Sequence, residues 1–235
     1  VLRALLGAAG LTATILLWPG AGPAADPALT LPSSVPPAER ARIEAVLAQA
    51  SISTRAELEA YPLRLDVFNY LLDHPDFATQ VTRTLRLARY RIWRDADGLH
   101  LDDGWGVKGL ITPLYGDGGL RVLYARGHYE QSFLPDIRGQ AVIVLRYANG
   151  HDAKGRPGLA TSLQVFGTLD SKVLSSLAGT IAQDKASLEA RRVLKVFSRL
   201  TTHLDRRLDE VLADLQKNPD VSRPELDDLR RLLGR

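Results

Sequence analysis

The strongest constraint on how this chain folds is a helical pattern that starts at Asp170 and runs to Asn218-Pro219. Val173, Leu174, Leu177, Ile181, Leu188, Val193, Phe197, Leu200, Leu204, Leu208, Val211 and Leu215 recur mostly three or four apart, which places them on one face of an α-helix. Unbroken to Gln216, that helix would be roughly 70 Å long at ~1.5 Å per residue. A chain of 235 residues makes one large domain or two small ones, and no single domain of that size covers such a length. The pattern therefore requires either a kink near Gly179 to Asp184 or a second half that packs elsewhere. Ser222-Arg223-Pro224-Glu225 then reads as a fresh cap for a last helix through Leu233.

Ahead of the long helix the pattern is that of strands. From Tyr90 onward, Ile92, Leu99, Leu101, Trp105, Val107, Leu110 and Ile111 fall in short runs separated by turn residues. Asp97-Gly98 is a hairpin signal, and Gly116-Asp117-Gly118-Gly119 is a second turn. Leu120 to Phe133 reads as a long strand, Gln140 to Ala148 as another rich in β-branched residues, and Leu159 to Leu169 as the last. Asn149 to Gly158 reads as a polar loop. No helix interrupts the strands, so the expectation is an antiparallel meander of about six. Before the strands, helices are predicted over Pro37–Ala50, from Ser53 or Thr54 through Glu59, from Asp66 to Leu72, and again after Pro75.

The amino terminus has its own pattern. Arg3 precedes the uncharged run Ala4–Trp18, then come Pro19-Gly20 and the small residues Gly22-Pro23-Ala24. This is the three-part layout of a secretory signal, and the run is shorter than the ~20 residues of a spanning helix. The expected organisation is a signal over 1–24, a linker and helix over 25–60, the main domain over 61–200, and a helical extension over 201–235, in a periplasmic or secreted protein. The chain has no cysteine, which removes disulfide scaffolds, thiolate metal sites and cysteine nucleophiles from consideration. A net charge of +3 gives no case for a nucleic-acid partner.

Helices, then a run of antiparallel strands, then one long helix form an order that resembles the START-like helix-grip superfamily, which includes polyketide-cyclase-like and lipid-transfer-like proteins. The resembling stretches are VFNYLLDHPDFA (67–78) and the strand-to-helix junction LQVFGTLDSKVLSSLAGTI (163–181). The resemblance implies an α+β fold in which a curved antiparallel sheet grips a long C-terminal helix, with extra helices before and after. It also implies a cavity between sheet and helix that holds a lipid or another hydrophobic small molecule, without a cofactor. Small residues at Ser175, Ser176, Ala178, Gly179, Thr180 and Ala182 would leave room there. They serve equally for close helix–sheet packing.

Arg126, His128 and Glu130 alternate along one strand and share a face. Facing a cavity, His128 and Glu130 pair as acid and base, and Arg126 holds a ligand carboxylate or phosphate. Facing out, they are an ordinary solvated edge, the reading favoured by the apolar Leu123, Ala125, Tyr129 and Phe133 on the other side. Arg146, in line with Val142 and Val144, needs a partner or a ligand if buried. Trp105 and Trp93 flank the Asp97-Gly98 hairpin and fit a pocket mouth, a membrane contact or plain core packing. The expected ligand contacts are thus Arg126, His128, Glu130, Arg146, Trp105 and Gly179, with no catalytic or metal-ligating residue assigned. Partners to consider are the hydrophobic ligand, a transient membrane surface, and another protein held by helix 185–216. The rival functions are a cyclase- or hydrolase-type enzyme using His128 and Glu130, and a helical adaptor.

Overall fold

The computed structural model describes residues 29–130, 136–170 and 175–235, apart from the side chains of 175–179 and Asp205. The expected signal over 1–24 lies outside the described residues. The elements run α1 (Pro37–Ala48), β1 (Ile52–Tyr61), α2 (Leu65–Asp73), α3 (Pro75–Thr84), β2 (Arg91–Asp95), β3 (Gly98–Asp102), β4 (Val107–Gly116), β5 (Leu120–Tyr129), β6 (Ile137–His151), β7 (Pro157–Leu169), α4 (Ser175–Lys217) and α5 (Arg223–Leu232). The fold is α+β, with one open antiparallel sheet of seven strands in the order β1-β7-β6-β5-β4-β3-β2. Among the described residues, no helix is long and apolar enough to cross a membrane.

The seventh strand corrects the sequence reading. Residues 53–59 are not a helix but the middle of β1, which pairs with β7 from Ile52↔Gly167 to Tyr61↔Leu159. Ala, Glu and Leu are good helix formers, yet Ile52, Thr54 and Ala56 are buried while Ser53, Arg55 and Glu57 are exposed. That two-residue period suits a strand with one covered face, and tertiary pairing overrides local propensity. The predicted loop over 149–158 is also mostly ladder. β6 and β7 stay paired out to His151↔Pro157, and Asp152 closes the turn by accepting the Arg156 and Lys154 N–H groups. Because β1 belongs to the sheet and Leu31–Arg235 forms one unit, the body begins ahead of residue 61 and includes 201–235.

α1 covers one sheet face at β6 and β7, burying Ile43 and Val46. On the other face, α4 packs on β1 and β7. Ala190 and Leu194 join Ala56, Phe68, Leu145, Tyr147, Leu159 and Leu163 in a core between sheet and helices. The long helix breaks at Arg207 (φ −140°, ψ 36°), not between Gly179 and Asp184. Its second part packs with α2, α3 and α5, where Val211, Leu212 and Leu215, together with Leu200 ahead of the break, meet Val67, Leu71, Phe77, Val81, Leu226 and Leu229. The later part of the apolar stripe, at Leu200, Leu204, Val211, Leu212 and Leu215, is buried within this chain, whereas Leu188 stays exposed. The Ser222 side chain makes no capping hydrogen bond; Pro in the first turn and the bond from Leu226 N–H to Ser222 O start α5 instead.

On the α4 face, three glycines stand in cross-strand register, Gly109↔Gly127↔Gly139. A Cβ at any of them would collide with a carbonyl oxygen of a neighbouring strand, that of Arg126, Lys108 or Thr168 respectively. A row of glycines across adjacent strands permits that close approach, as at the corners of strongly bent sheets. The next register, Ile111↔Ala125↔Ala141↔Gly167, is also mostly small.

Candidate functional site

Strand alternation sorts the candidate residues by face. Tyr129 lies under α4, because the Lys185 ammonium of that helix sits 5.5 Å from its ring. Tyr124 lies under α1, whose Arg42 guanidinium is 5.4 Å from its ring. Arg126, His128 and the adjoining Glu130 follow Tyr124 and thus point away from α4. Glu130 accepts hydrogen bonds from Lys108 at 2.9 Å and bonds the His128 ring at 3.2 Å. Lys108 first, then His128, hold the Glu130 carboxyl below its ordinary pKa. The His128–Glu130 pair is within bonding reach, but its side chains are 35% and 46% exposed, so solvent competes for both groups. Arg126 is exposed.

Arg146 is half-buried on the same face and donates to Gln164 Oε1 at 2.6 Å. Its partner is thus supplied by β7, and burial with the nearby Arg55 pulls its pKa down. Gly179 falls in α4, with its surroundings outside the described residues, as are the side chains of Ser175, Ser176 and Ala178. Trp105 lies on the β3–β4 connection, 38% exposed, and is the one candidate that joins a larger constellation.

That constellation is ionic and aromatic, and it ties α4 to the β3–β4 connection. Asp103 is 3% exposed; its Oδ1 accepts the backbone N–H groups of Trp105 (2.7 Å) and Val107 (2.9 Å). Its Oδ2 faces the Lys185 ammonium at 2.9 Å. Lys185 also meets Glu189 at 3.2 Å, one turn along α4, and Glu189 receives Arg192 at 2.6 Å and the Tyr90 hydroxyl at 2.6 Å. Arg192 lies over the Trp105 ring at 4.6 Å, and Tyr90 meets that ring edge-on at 5.8 Å. Two carboxylates thus face two cations, which is what burying charge demands. Burial alone lowers the Lys185 pKa, but hydrogen bonds to Asp103 and Glu189 outweigh it and hold it above the ordinary lysine value.

Sequence reasoning missed Asp103, Lys185, Glu189 and Tyr90. Lys185 and Glu189 are an ordinary i,i+4 pair on paper, and Asp103-Gly104 is an ordinary turn. Only the fold brings the turn against the helix.

Alkali gives a test of this packing. Burial pushes the Tyr61 phenol up to about 12, and burial followed by the Glu189 hydrogen bond pushes Tyr90 up as well. Unfolded tyrosines ionise near pH ~10 while these two stay neutral in the fold. The contribution of these two phenols to stability is expected to be flat below pH ~10 and to fall as pH rises from there, by on the order of 3 kcal/mol for Tyr61 alone. Urea unfolding followed at stepped pH, with phenolate absorbance, checks it. All seven tyrosines ionising near pH ~10 in folded protein would refute it.

The sheet face that meets α4 at β1 and β7 is apolar but unevenly covered. Ala56, Leu163, Leu145 and Tyr147 are buried, whereas Leu101, Val107, Leu123, Ala125, Ala141, Ile143 and Val165 on the same face are only half-buried. Searches of family models, curated proteins and solved structures found no match to this chain.

Proposed function

We propose that this is an exported binding protein that holds a lipid or another hydrophobic small molecule between the sheet and α4. The observation that carries this reading is the half-buried apolar row from Leu101 to Val165 on the α4 face. A fully packed core leaves such side chains no exposure, and an apolar guest completes their burial. The glycine register Gly109↔Gly127↔Gly139 supports a sheet that bends under the helix. The long helix after the last strand and its bridge from Lys185 to Asp103 are consistent with a START-like helix-grip arrangement. The amino-terminal pattern supports passage to the periplasm or outside the cell.

In this reading the work is done by shape and apolar surface. Small side chains at Ala125 and Ala141 set the depth of the space, Leu123, Ile143 and Val165 line it, and α4 closes it. The ion pairs at Asp103 and Glu189 hold α4 down near one end without offering a free charge to the guest. No covalent step is assigned, since His128 and Glu130 stand on the other face.

The test is identification of co-purifying lipid by mass spectrometry on protein gently extracted from its native host. A stoichiometric apolar ligand is expected. Ala141→Phe, which adds a ring to the half-buried row, is expected to reduce recovered ligand by about tenfold, a loss of ~1.4 kcal/mol in affinity. Far-ultraviolet circular dichroism checks that the variant folds. No ligand in the parent, and no thermal shift with a lipid panel, would count the reading out.

A further inference from the structure

The α3–β2 connection and the exposed edge of α4 carry a group of cations without counterions. Arg83, Arg86, Arg89, Leu87, Ala88 and Trp105 line a shallow hollow of about 470 Å³. It adjoins a second of about 210 Å³, which shares Leu87, Ala88 and Trp105 and adds Arg192, Lys195 and Arg199. The nearby carboxylates, Asp103 and Glu189, are already matched by Lys185 and Arg192. Among the described residues, Arg83, Arg86, Arg89, Lys195 and Arg199 form no ion pair, which leaves five uncompensated positive charges around an apolar floor.

Two further features mark this edge. Trp105 and Leu188 are the exposed large hydrophobic residues among those described, and Leu188 lies one helical turn before Arg192. Arg86 stands at φ 55°, in the left-handed turn that ends α3, where Leu87 N–H closes back to Thr82 O at 2.8 Å. Glycine is the easiest residue at such a position, so an arginine there places a charge at the groove at some backbone cost.

We infer that this edge docks on the surface of a bilayer containing anionic lipid. The phosphate headgroups would meet Arg83, Arg86, Arg89, Lys195 and Arg199, with Trp105 and Leu188 entering the interfacial layer. Clustered cations around an exposed tryptophan and leucine match both halves of such a surface, the charge and the apolar boundary beneath it. A free phosphate has no use for the apolar pair. The inference goes beyond the proposed ligand site and does not depend on it, since vesicle binding and ligand recovery are separate measurements.

The experiment is co-sedimentation of the full chain with vesicles of phosphatidylcholine, and with vesicles in which about a third of the lipid is phosphatidylglycerol. Binding to phosphatidylcholine alone sets the baseline. Anionic lipid is expected to raise binding by more than about tenfold at low salt, and salt near ~0.5 M to abolish the gain. Arg86→Glu with Arg89→Glu is expected to remove that gain. Arg138→Glu with Lys154→Glu, an equal change of charge elsewhere on the surface, is expected to keep most of it. Trp105→Ala is expected to lower binding at fixed charge. The inference is overturned if anionic lipid adds nothing, if the two charge-reversal pairs behave alike, or if short duplex DNA binds more tightly than the vesicles through the same arginines.

Discussion

Asp103→Ala is expected to destabilise the protein by about 3 kcal/mol, near the low end for removing one partner of a buried ion pair. The substitution does three things at once. It leaves the N–H groups of Trp105 and Val107 without their acceptor, bonds of 2.7 and 2.9 Å in the parent. It strips Lys185 of the closer of its two carboxylates. It also unpins the turn that holds Trp105 against Tyr90 and Arg192. The Lys185 side chain keeps 16% exposure, so water relieves part of the cost, and for that reason the low end applies. In a chain of this length the loss corresponds to a fall in Tm of roughly 6–12 °C. Asp103→Asn keeps an acceptor for the two N–H groups and is expected to lose less. Combining Asp103→Ala with Lys185→Met should cost less than the two single changes added together, because the orphaned ammonium is gone. Urea unfolding of the parent and the four variants decides it. A parent-like Asp103→Ala, within ~0.5 kcal/mol, would mean that the pair does not hold α4 to the sheet.

How much of this was legible in the sequence depended on the range of the interaction that decides each element. The turns at Asp97-Gly98 and Gly116–Gly119, the break at His74-Pro75 and the strand at Gln140–Ala148 rest on local chemistry, and each was read correctly. β1 is not legible locally because its partners in space, β7 residues 159–167, lie about a hundred positions away, while its own Ala, Glu and Leu favour a helix. Helix length alone requires a break or a second half that packs elsewhere, but it does not fix the position, and the span Gly179 to Asp184 is too early. The actual break at Arg207 is set by where the second part must turn to reach Leu226 and Leu229. The site followed the same rule. Residues two apart on one strand, His128 and Glu130, were found to lie together as alternation requires, but alternation cannot say which face a helix covers. Lys185, Asp103 and Tyr90 come from three separate segments, and nothing short of the fold joins them.

Phe68→Ala is expected to have the largest effect of any single change proposed, about 4 kcal/mol. Phe68 is fully buried, and its ring meets Tyr147 of β6 at 5.0 Å and Phe197 of α4 at 5.1 Å, both edge-on. It joins α2, sheet and long helix in one contact. Its neighbour Val67 sits in the other core, the one formed by α2, α3, α5 and the end of α4. Phe197 and Leu63 touch both cores, so the two are not separable along the chain or in space. The loss at Phe68 should therefore appear as one cooperative transition shifted to lower urea, with near- and far-ultraviolet circular dichroism coincident. Phe68→Leu, which fills most of the volume, is expected to cost only about 1 kcal/mol. If Phe68→Ala instead splits the transition in two, with the helical signal lost later, the helical core is an independent unit. The path from the sheet through Phe197 would then carry little of the stability assigned to it.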